Sequence, residues 1–338
     1  MPKLVIHIGL PKTATTTLQR HFFPQAEGYL GKIDGLGPNG GKNPPPFYNK
    51  QLEIRFKRVF DAGQDRFREI ADLVSEIDFS KIPIWIISDE SLTRWTQDNL
   101  VASSGQPVVR PSIREKPRRG AHPIARFLET VGAALPPDVE LISVLTIRAQ
   151  STYLVSSASQ AGVHNVGVAI RRIIRRNDEF ILWHKLVMDL ERLRGPEKHL
   201  TLLFEDGVST NAKKIADFCN LIPIGGEFNF QFPQPENVRR QTHADVWEVN
   251  EVVRPDRVGK ILASLTFFLF RTNLPAASRL YVSLRRAYYG FRMRVEVLLG
   301  TRQAQITESQ RQKIREYCAT SNSVLAKHLD RDLRSLGY

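Results

Sequence analysis

Hydrophobic residues in this chain fall into two kinds of run. Four are short, rich in β-branched residues and free of polar alternation: Leu4–Ile8, Ile84–Ser88, Leu141–Ile147 and Leu200–Phe204. Runs of that length with no polar face read as strands buried on both sides, the habit of a parallel sheet. Between them, apolar positions recur at helical spacing over Ala14–Phe23, Lys50–Ile77, Ile124–Val131, Thr152–Ala161, Glu179–Leu193 and Ala212–Asn220. Strand alternating with helix predicts an α/β fold: an open parallel sheet, flanked by helices and joined by right-handed crossovers. Beyond residue 240 the strand pattern fades and the chain reads mainly helical to Tyr338. A single domain is expected, with an α/β core over 1–240 and a helical part over 241–338.

Two stretches break the alternation. Gly31–Pro46 holds five glycines and four prolines in sixteen residues, which excludes regular structure. Asn99–Pro123 sets Arg110, Arg114, Lys116, Arg118 and Arg119 among prolines. Both read as solvated surface loops, with the covering of a substrate as the alternative.

Composition narrows the class. With 42% hydrophobic and 25% charged residues, the chain is globular, neither disordered nor a membrane bundle. Forty-eight Lys+Arg against 35 Asp+Glu leave a net charge of +13, which points to anionic partners without choosing among nucleotide, nucleic acid, lipid headgroup and acidic glycan. The two cysteines, Cys219 and Cys318, match no metal-ligand spacing, so a disulfide framework and a cysteine zinc site are not expected. Met1-Pro2-Lys3 leads directly into the first strand without a signal-peptide pattern, and the apolar run Ile261–Phe270 is too short to span a bilayer. A cytoplasmic protein is expected, with peripheral contact at the inner membrane face as a further reading of its basic helices.

The first segment carries the most chemistry. In IHIGLPKTATTTLQRHFF a buried strand stops at Gly9, a tight loop presents Lys12, and a hydroxyl-rich helix start follows. Free N–H groups of a first helical turn attract anions, and its dipole adds positive potential. Thr13, Thr15, Thr16 and Thr17 offer hydroxyl donors, Lys12 a mobile charge, and Ala14 room for close approach. Only Leu10 and Pro11 separate Gly9 from Lys12, so the G-x-x-x-x-G-K-[ST] loop of nucleoside-triphosphate enzymes is not met.

Pro11-Lys12-Thr13-Ala14-Thr15-Thr16 resembles instead the 5′-phosphosulfate loop, P-K-[ST]-G-[ST]-[ST], of sulfotransferases that use 3′-phosphoadenosine-5′-phosphosulfate (PAPS). Ala14 replaces the usual glycine, a departure that adds one methyl group and forbids only a left-handed backbone. The strand Leu141–Ile147 ends in Arg148, with Ser156 eight residues on. The text IRAQSTYLVSSASQ is similar to the R-x-Q-x-x-x-x-x-S-x-x-x-Q arrangement of bacterial carbohydrate sulfotransferases. The stretches LTLLFEDGVSTNAKKIADFCNL and SNSVLAKHLDRDLRSLGY also resemble that branch, with Gly207 where the family has Leu. The resemblance implies a P-loop-like sheet, PAPS as co-substrate, no metal, and a carbohydrate or glycolipid hydroxyl as acceptor. It implies that Pro11 to Thr17 hold the 5′-phosphosulfate, that Arg148 and Ser156 hold the 3′-phosphate, and that Glu205 and Asp206 are structural. For a late loop over the nucleotide it offers Arg239 and Arg240, for which plain surface arginines are the other reading.

Sulfuryl transfer needs leaving-phosphate charge neutralised, a task for Lys12, and a base for the acceptor hydroxyl. Glu90, just past the strand Ile84–Ser88, is the candidate base, with helix capping as its alternative; Asp89, Glu27, Asp34 and His7 follow, His7 reading better as a packed core histidine. Arg171, Arg172, Arg175 and Arg176 are expected around a helix rather than on one stripe, as a solvated face, with recognition of an acidic or lipid-linked acceptor as the functional alternative. Val258–Leu299 mixes apolar and arginine residues and reads as a helical subdomain or a membrane-surface helix. A P-loop nucleotide kinase, a non-catalytic PAPS-binding relative and a nucleic-acid-binding protein are the rival functions; no nucleic-acid recognition motif occurs.

Overall fold

Each of the four apolar runs forms a strand in the computed structural model, which describes residues 1–10, 13–32, 69–89, 123–161, 166–232, 241–243, 246–247 and 306–338. Outside them lie Pro11, Lys12, Asp34, Glu90, Arg239 and Arg240, the Arg110–Arg119 loop and the Val258–Leu299 stretch. The chain runs β1 (Lys3–Gly9), α1 (Thr15–Thr17), β2 (Tyr29–Lys32), α2 (Glu69–Ser75), β3 (Ile84–Asp89), α3 (Pro123–Ala134) and β4 (Glu140–Ile147). It continues with α4 (Gln150–Ala161), α5 (Val166–Arg176), α6 (Trp183–Arg194), β5 (His199–Leu203), α7 (Val208–Cys219), β6 (Gln241–His243), β7 (Val246–Trp247) and α8 (Glu308–Leu329).

The five-stranded sheet has the order β2-β3-β1-β4-β5, and every pairing in it is parallel. Side chains alternate between its faces, and both faces are covered, which is why the strand sequences show no polar alternation. On one face Leu4, Ile6, Ile8, Leu141, Leu145 and Ile147 pack with α2, α3, α4, α5, α6 and α8. On the other, Val5, Ile86, Ile142 and Val144 meet Phe22, Phe23 and the α7 residues Ala212, Ile215 and Cys219. Phe22, Phe23 and Trp183 are each at most 1% exposed, and burial of a large apolar side chain contributes about 1.5–3 kcal/mol.

Two expectations are corrected. Gly31 and Lys32, read as part of a loop without regular structure, belong to β2, the edge strand, where parallel pairing of Tyr29 with Ile86 and Lys32 with Ser88 overrides local composition. Gly28 sets up that strand: a Cβ there would fall 1.8 Å from the Ile84 carbonyl oxygen. Beyond residue 240 the described chain is mainly helical as expected, in α8, with a short antiparallel hairpin, β6–β7, ahead of it. The helix expected over Ala14–Phe23 is segmented: α1 passes into a wider π-turn at Leu18–Phe22 and a tight 3₁₀ turn at Phe23–Gln25.

α8 is the bracing element of the described C-terminal part. Thr307 and Gln310 cap it reciprocally at 3.2 and 3.1 Å. Its Asn322 exchanges amide hydrogen bonds with Gln150 of α4 at 2.7 and 3.2 Å, both side chains buried. No described helix is long and apolar enough to cross a membrane.

Candidate functional site

β1 leads to the edge strand β2 on one side, whereas β4 leads to β5 on the other. In such a sheet the crevice for a ligand opens at the carboxyl ends of the strands where the order reverses. Gly9 is paired with Thr146, and the Leu10 N–H still reaches the Thr146 carbonyl at 3.4 Å. The segments after Gly9 and after Ile147 therefore start side by side, about 4.8 Å apart as neighbouring strands are.

The β1 end is built from contiguous residues. A Cβ on Gly9 would fall 1.9 Å from Thr15 Oγ1, so glycine is what lets the chain double back over the strand end. Thr13 Oγ1 donates to the Leu10 carbonyl at 2.6 Å and lies 3.3 Å from Thr15 Oγ1. Thr13 and Thr15 are buried, Thr16 is exposed and Thr17 half-buried. The Thr13 hydroxyl hydrogen is thus directed onto the loop itself. Ala14 adopts φ 60° and ψ 15°, its carbonyl accepting from the N–H groups of Thr17 and Leu18 at 2.9 and 3.1 Å. The one backbone state expected to be forbidden to alanine is the one the turn uses. The methyl group then costs about 1 kcal/mol, which the turn's hydrogen bonds and the packing of Leu18 sustain.

The β4 end is assembled from distant segments. Arg148 Nε donates to Thr152 Oγ1 at 3.1 Å, and the guanidinium lies over the Phe204 ring, 4.3 Å from its centroid. The Arg148 carbonyl accepts from Trp183 Nε1 at 2.7 Å. Glu205 receives the Ala149 N–H at 3.0 Å through one oxygen and the Tyr338 hydroxyl at 2.9 Å through the other. Burial, then the charge and hydrogen bond of Glu205, hold the Tyr338 phenol far above its ordinary pKa, so it stays a donor. Burial pushes the Asp206 carboxyl up, but hydrogen bonds from Arg331 (2.6 Å) and Lys214 (2.6 Å) outweigh it and leave its pKa lowered. Both acids thus brace the fold. Ser156 is buried in the second turn of α4, which starts two residues earlier than the periodicity suggested.

Beneath both ends runs a buried polar floor. His7 Nδ1 lies 2.8 Å from Ser88 Oγ of β3 and Nε2 3.3 Å from Thr146 Oγ1 of β4. Gln19 Nε2 donates to the Ser88 carbonyl at 2.9 Å and to its hydroxyl at 3.1 Å. Complete burial lowers the His7 pKa from 6.5 to about 3, so the ring is neutral and closed to solvent. It is a core histidine tying three strands, not an exposed base. Asp89 pairs with Ile8 at the carboxyl edge, and Glu90 follows it directly in sequence. Glu27 precedes β2, with its N–H on the Ile222 carbonyl at 3.0 Å, and so stands toward the opposite edge.

The arginines of α5 are corrected as well. Arg171, Arg175 and Arg176 are exposed and Arg172 half-buried, while Val166, Ala169, Ile170 and Ile173 are buried. Positions i, i+1, i+4 and i+5 span only about 140° of a helix, so the four form one side rather than a ring. Sequence reasoning also missed Thr152, Phe204, Trp183 and Tyr338 as the setting of Arg148. Only the Trp183 indole, a donor that needs a partner when buried, carried a signal in advance.

No family model and no curated protein matches the chain. Among solved structures it is similar to a sulfotransferase from Alicyclobacillus acidocaldarius, with 9% sequence identity and a TM-score of 0.44, over 100% of this chain and 99% of that one.

Proposed function

We propose that the chain is a sulfotransferase that moves a sulfuryl group from PAPS to a hydroxyl of a carbohydrate or glycolipid acceptor. The observation that carries this reading is the adjacency of two anion-competent ends, the Leu10–Thr17 turn after β1 and Arg148 after β4, joined by the Gly9–Thr146 pairing. A donor with a 5′-phosphosulfate and a separate 3′-phosphate asks for two such ends. The motif PKTATT and the Arg148…Ser156 spacing support the same assignment.

In this reading Lys12 neutralises the bridging oxygen as the sulfur–oxygen bond to the leaving phosphate breaks. The Thr16 and Thr17 hydroxyls and the N–H groups of the turn serve the non-bridging oxygens. Arg148, held by Thr152 and Phe204, grips the 3′-phosphate together with Ser156 of α4. The acceptor oxygen bonds to sulfur, and its proton passes to a carboxylate, Glu90 being the candidate. The products are 3′,5′-adenosine bisphosphate and a sulfate ester, and Arg239 and Arg240 are candidates to close over the nucleotide.

Calorimetry with 3′,5′-adenosine bisphosphate tests the reading. The wild type is expected to bind it in preference to ATP. Lys12→Ala and Arg148→Ala are each expected to weaken binding roughly ten- to hundredfold, the scale of a lost charge-assisted contact. Absence of wild-type binding, or tighter binding of ATP, overturns it.

A further inference from the structure

α8 serves as a ruler for the helices packed on it. α6 starts at the carboxyl edge of the sheet, where Trp183 donates to the Arg148 carbonyl at 2.7 Å. It ends at the amino edge, where Arg194 donates to the Leu141 carbonyl at 2.8 Å. α8 runs parallel to it, with His184 on Ser321 at 2.6 Å and Glu191 on His328 at 2.6 Å. Gln150, two residues past Arg148, meets Asn322. The carboxyl edge is therefore level with Ser321 and Asn322.

α5 is pinned further along. Tyr317 donates to Asn177 Oδ1 at 3.2 Å and to the Asp178 carbonyl at 3.0 Å, just past the end of α5. Near its start, a Cβ on Gly167 would fall 2.2 Å from Gln310 Nε2. At 1.5 Å per residue, Gln310 lies about 18 Å beyond Asn322 along α8. Among the described elements α5 therefore stands past the carboxyl edge of the sheet, on the side where β1 and β4 open.

Its exposed side holds Arg171, Arg175 and Arg176. Among the described residues none of these has an ion-pair partner. Glu179 pairs with Lys185, and Glu308 with Arg311 and Arg315. Guanidinium forks on successive turns suit carboxylates or sulfates in series. A membrane-surface helix needs an apolar face to insert, but Val166, Ala169, Ile170 and Ile173 are all at most 1% exposed in the core. The exposed α5 residues include no aromatic side chain for stacking nucleic-acid bases.

We propose that this arginine side of α5 docks the acceptor, and that the acceptor is an acidic glycan, already bearing carboxylates or sulfates. This names the acceptor class for the transferase reading above and rests on it. The full-length chain is compared with Arg171→Glu/Arg175→Glu/Arg176→Glu and with the corresponding triple Lys variant. The probes are a heparin octasaccharide, neutral maltooctaose, phosphatidylglycerol vesicles and 3′,5′-adenosine bisphosphate. The Glu variant is expected to bind the octasaccharide roughly ten- to hundredfold more weakly and with a shallower salt dependence. The Lys variant is expected to keep most of the affinity, and both should keep the wild-type melting temperature and nucleotide affinity. Maltooctaose and vesicles should not bind. The inference is overturned by equal octasaccharide affinity in the wild type and the Glu variant, by no wild-type octasaccharide binding, or by vesicles as the α5-dependent ligand. If the octasaccharide depends on α5 while the wild type ignores the nucleotide, the polyanion surface stands and the transferase reading falls.

Discussion

The turn after β1 and the setting of Arg148 after β4 are neighbours in space but are built in opposite ways. The first closes on itself within ten residues, through Thr13 on the Leu10 carbonyl and Ala14 accepting from Thr17 and Leu18. The second draws Thr152, Trp183, Phe204, Glu205 and Tyr338 to one arginine, across 190 positions of chain, from 148 to 338. A local turn is strained or relaxed by its own residues. A remotely assembled site depends on packing far away, so a change at Tyr338 should reach Arg148, whereas a change at Ala14 should stay where it is made.

The largest effect is expected in the floor that both ends share. The folded-state pKa of His7, about 3, is depressed below its ordinary 6.5. Between those values the unfolded chain binds a proton that the folded chain refuses, so stability is full above about pH 6.5 and falls as pH drops. From pH 7 to 4 this one group should cost about 3 kcal/mol, and His199, lowered by burial to about 4, acts in the same direction. Urea midpoints across that range should fall less steeply in His7→Gln than in the wild type; parallel slopes would remove His7 from the account.

Next comes Gly9→Ala, which drives a Cβ into Thr15 and is expected to destabilise by about 2 kcal/mol. Thr15→Gly in the same chain should restore part of the loss, because the clash lies within the turn. No recovery would mean that the β1 end is not the closed unit described.

Tyr338→Phe removes one hydrogen bond, worth about 1 kcal/mol of stability. If remote assembly governs Arg148, this variant should also weaken 3′,5′-adenosine bisphosphate a few-fold and leave adenosine 5′-phosphosulfate, which lacks the 3′-phosphate, unaffected. Equal weakening of both ligands would erase the distinction between the two ends. Ala14→Gly has the smallest expected effect, a gain of about 0.5 kcal/mol, since relief of the left-handed backbone exceeds the entropy that glycine adds to the unfolded chain. A lower melting temperature in that variant would show the methyl group to be packed rather than strained.

How legible each part was in advance follows from the same contrast. Four of the five strands of the central sheet could be read because burial on both faces leaves an uninterrupted apolar run, and the turn after β1 could be picked out because its residues are contiguous. β2 could not, since Tyr29 and Lys32 pair only because β3 presents an edge to them. The α5 arginines were legible as charges but not as a side, until Ile170 and Ile173 were seen to turn inward.

The sequence by itself determined the alternation of strand and helix, the spacing of the PKTATT and Arg148…Ser156 motifs, and an excess of positive charge. It could do so because periodicity, motif spacing and charge are local or additive properties. Tertiary structure alone decided the neutral state of His7, the left-handed Ala14 and the partners of Arg148. It also decided the position of α5 beyond the sheet edge. Each of these is set by residues brought together across the chain, where burial, clash and hydrogen-bond geometry exist only after folding.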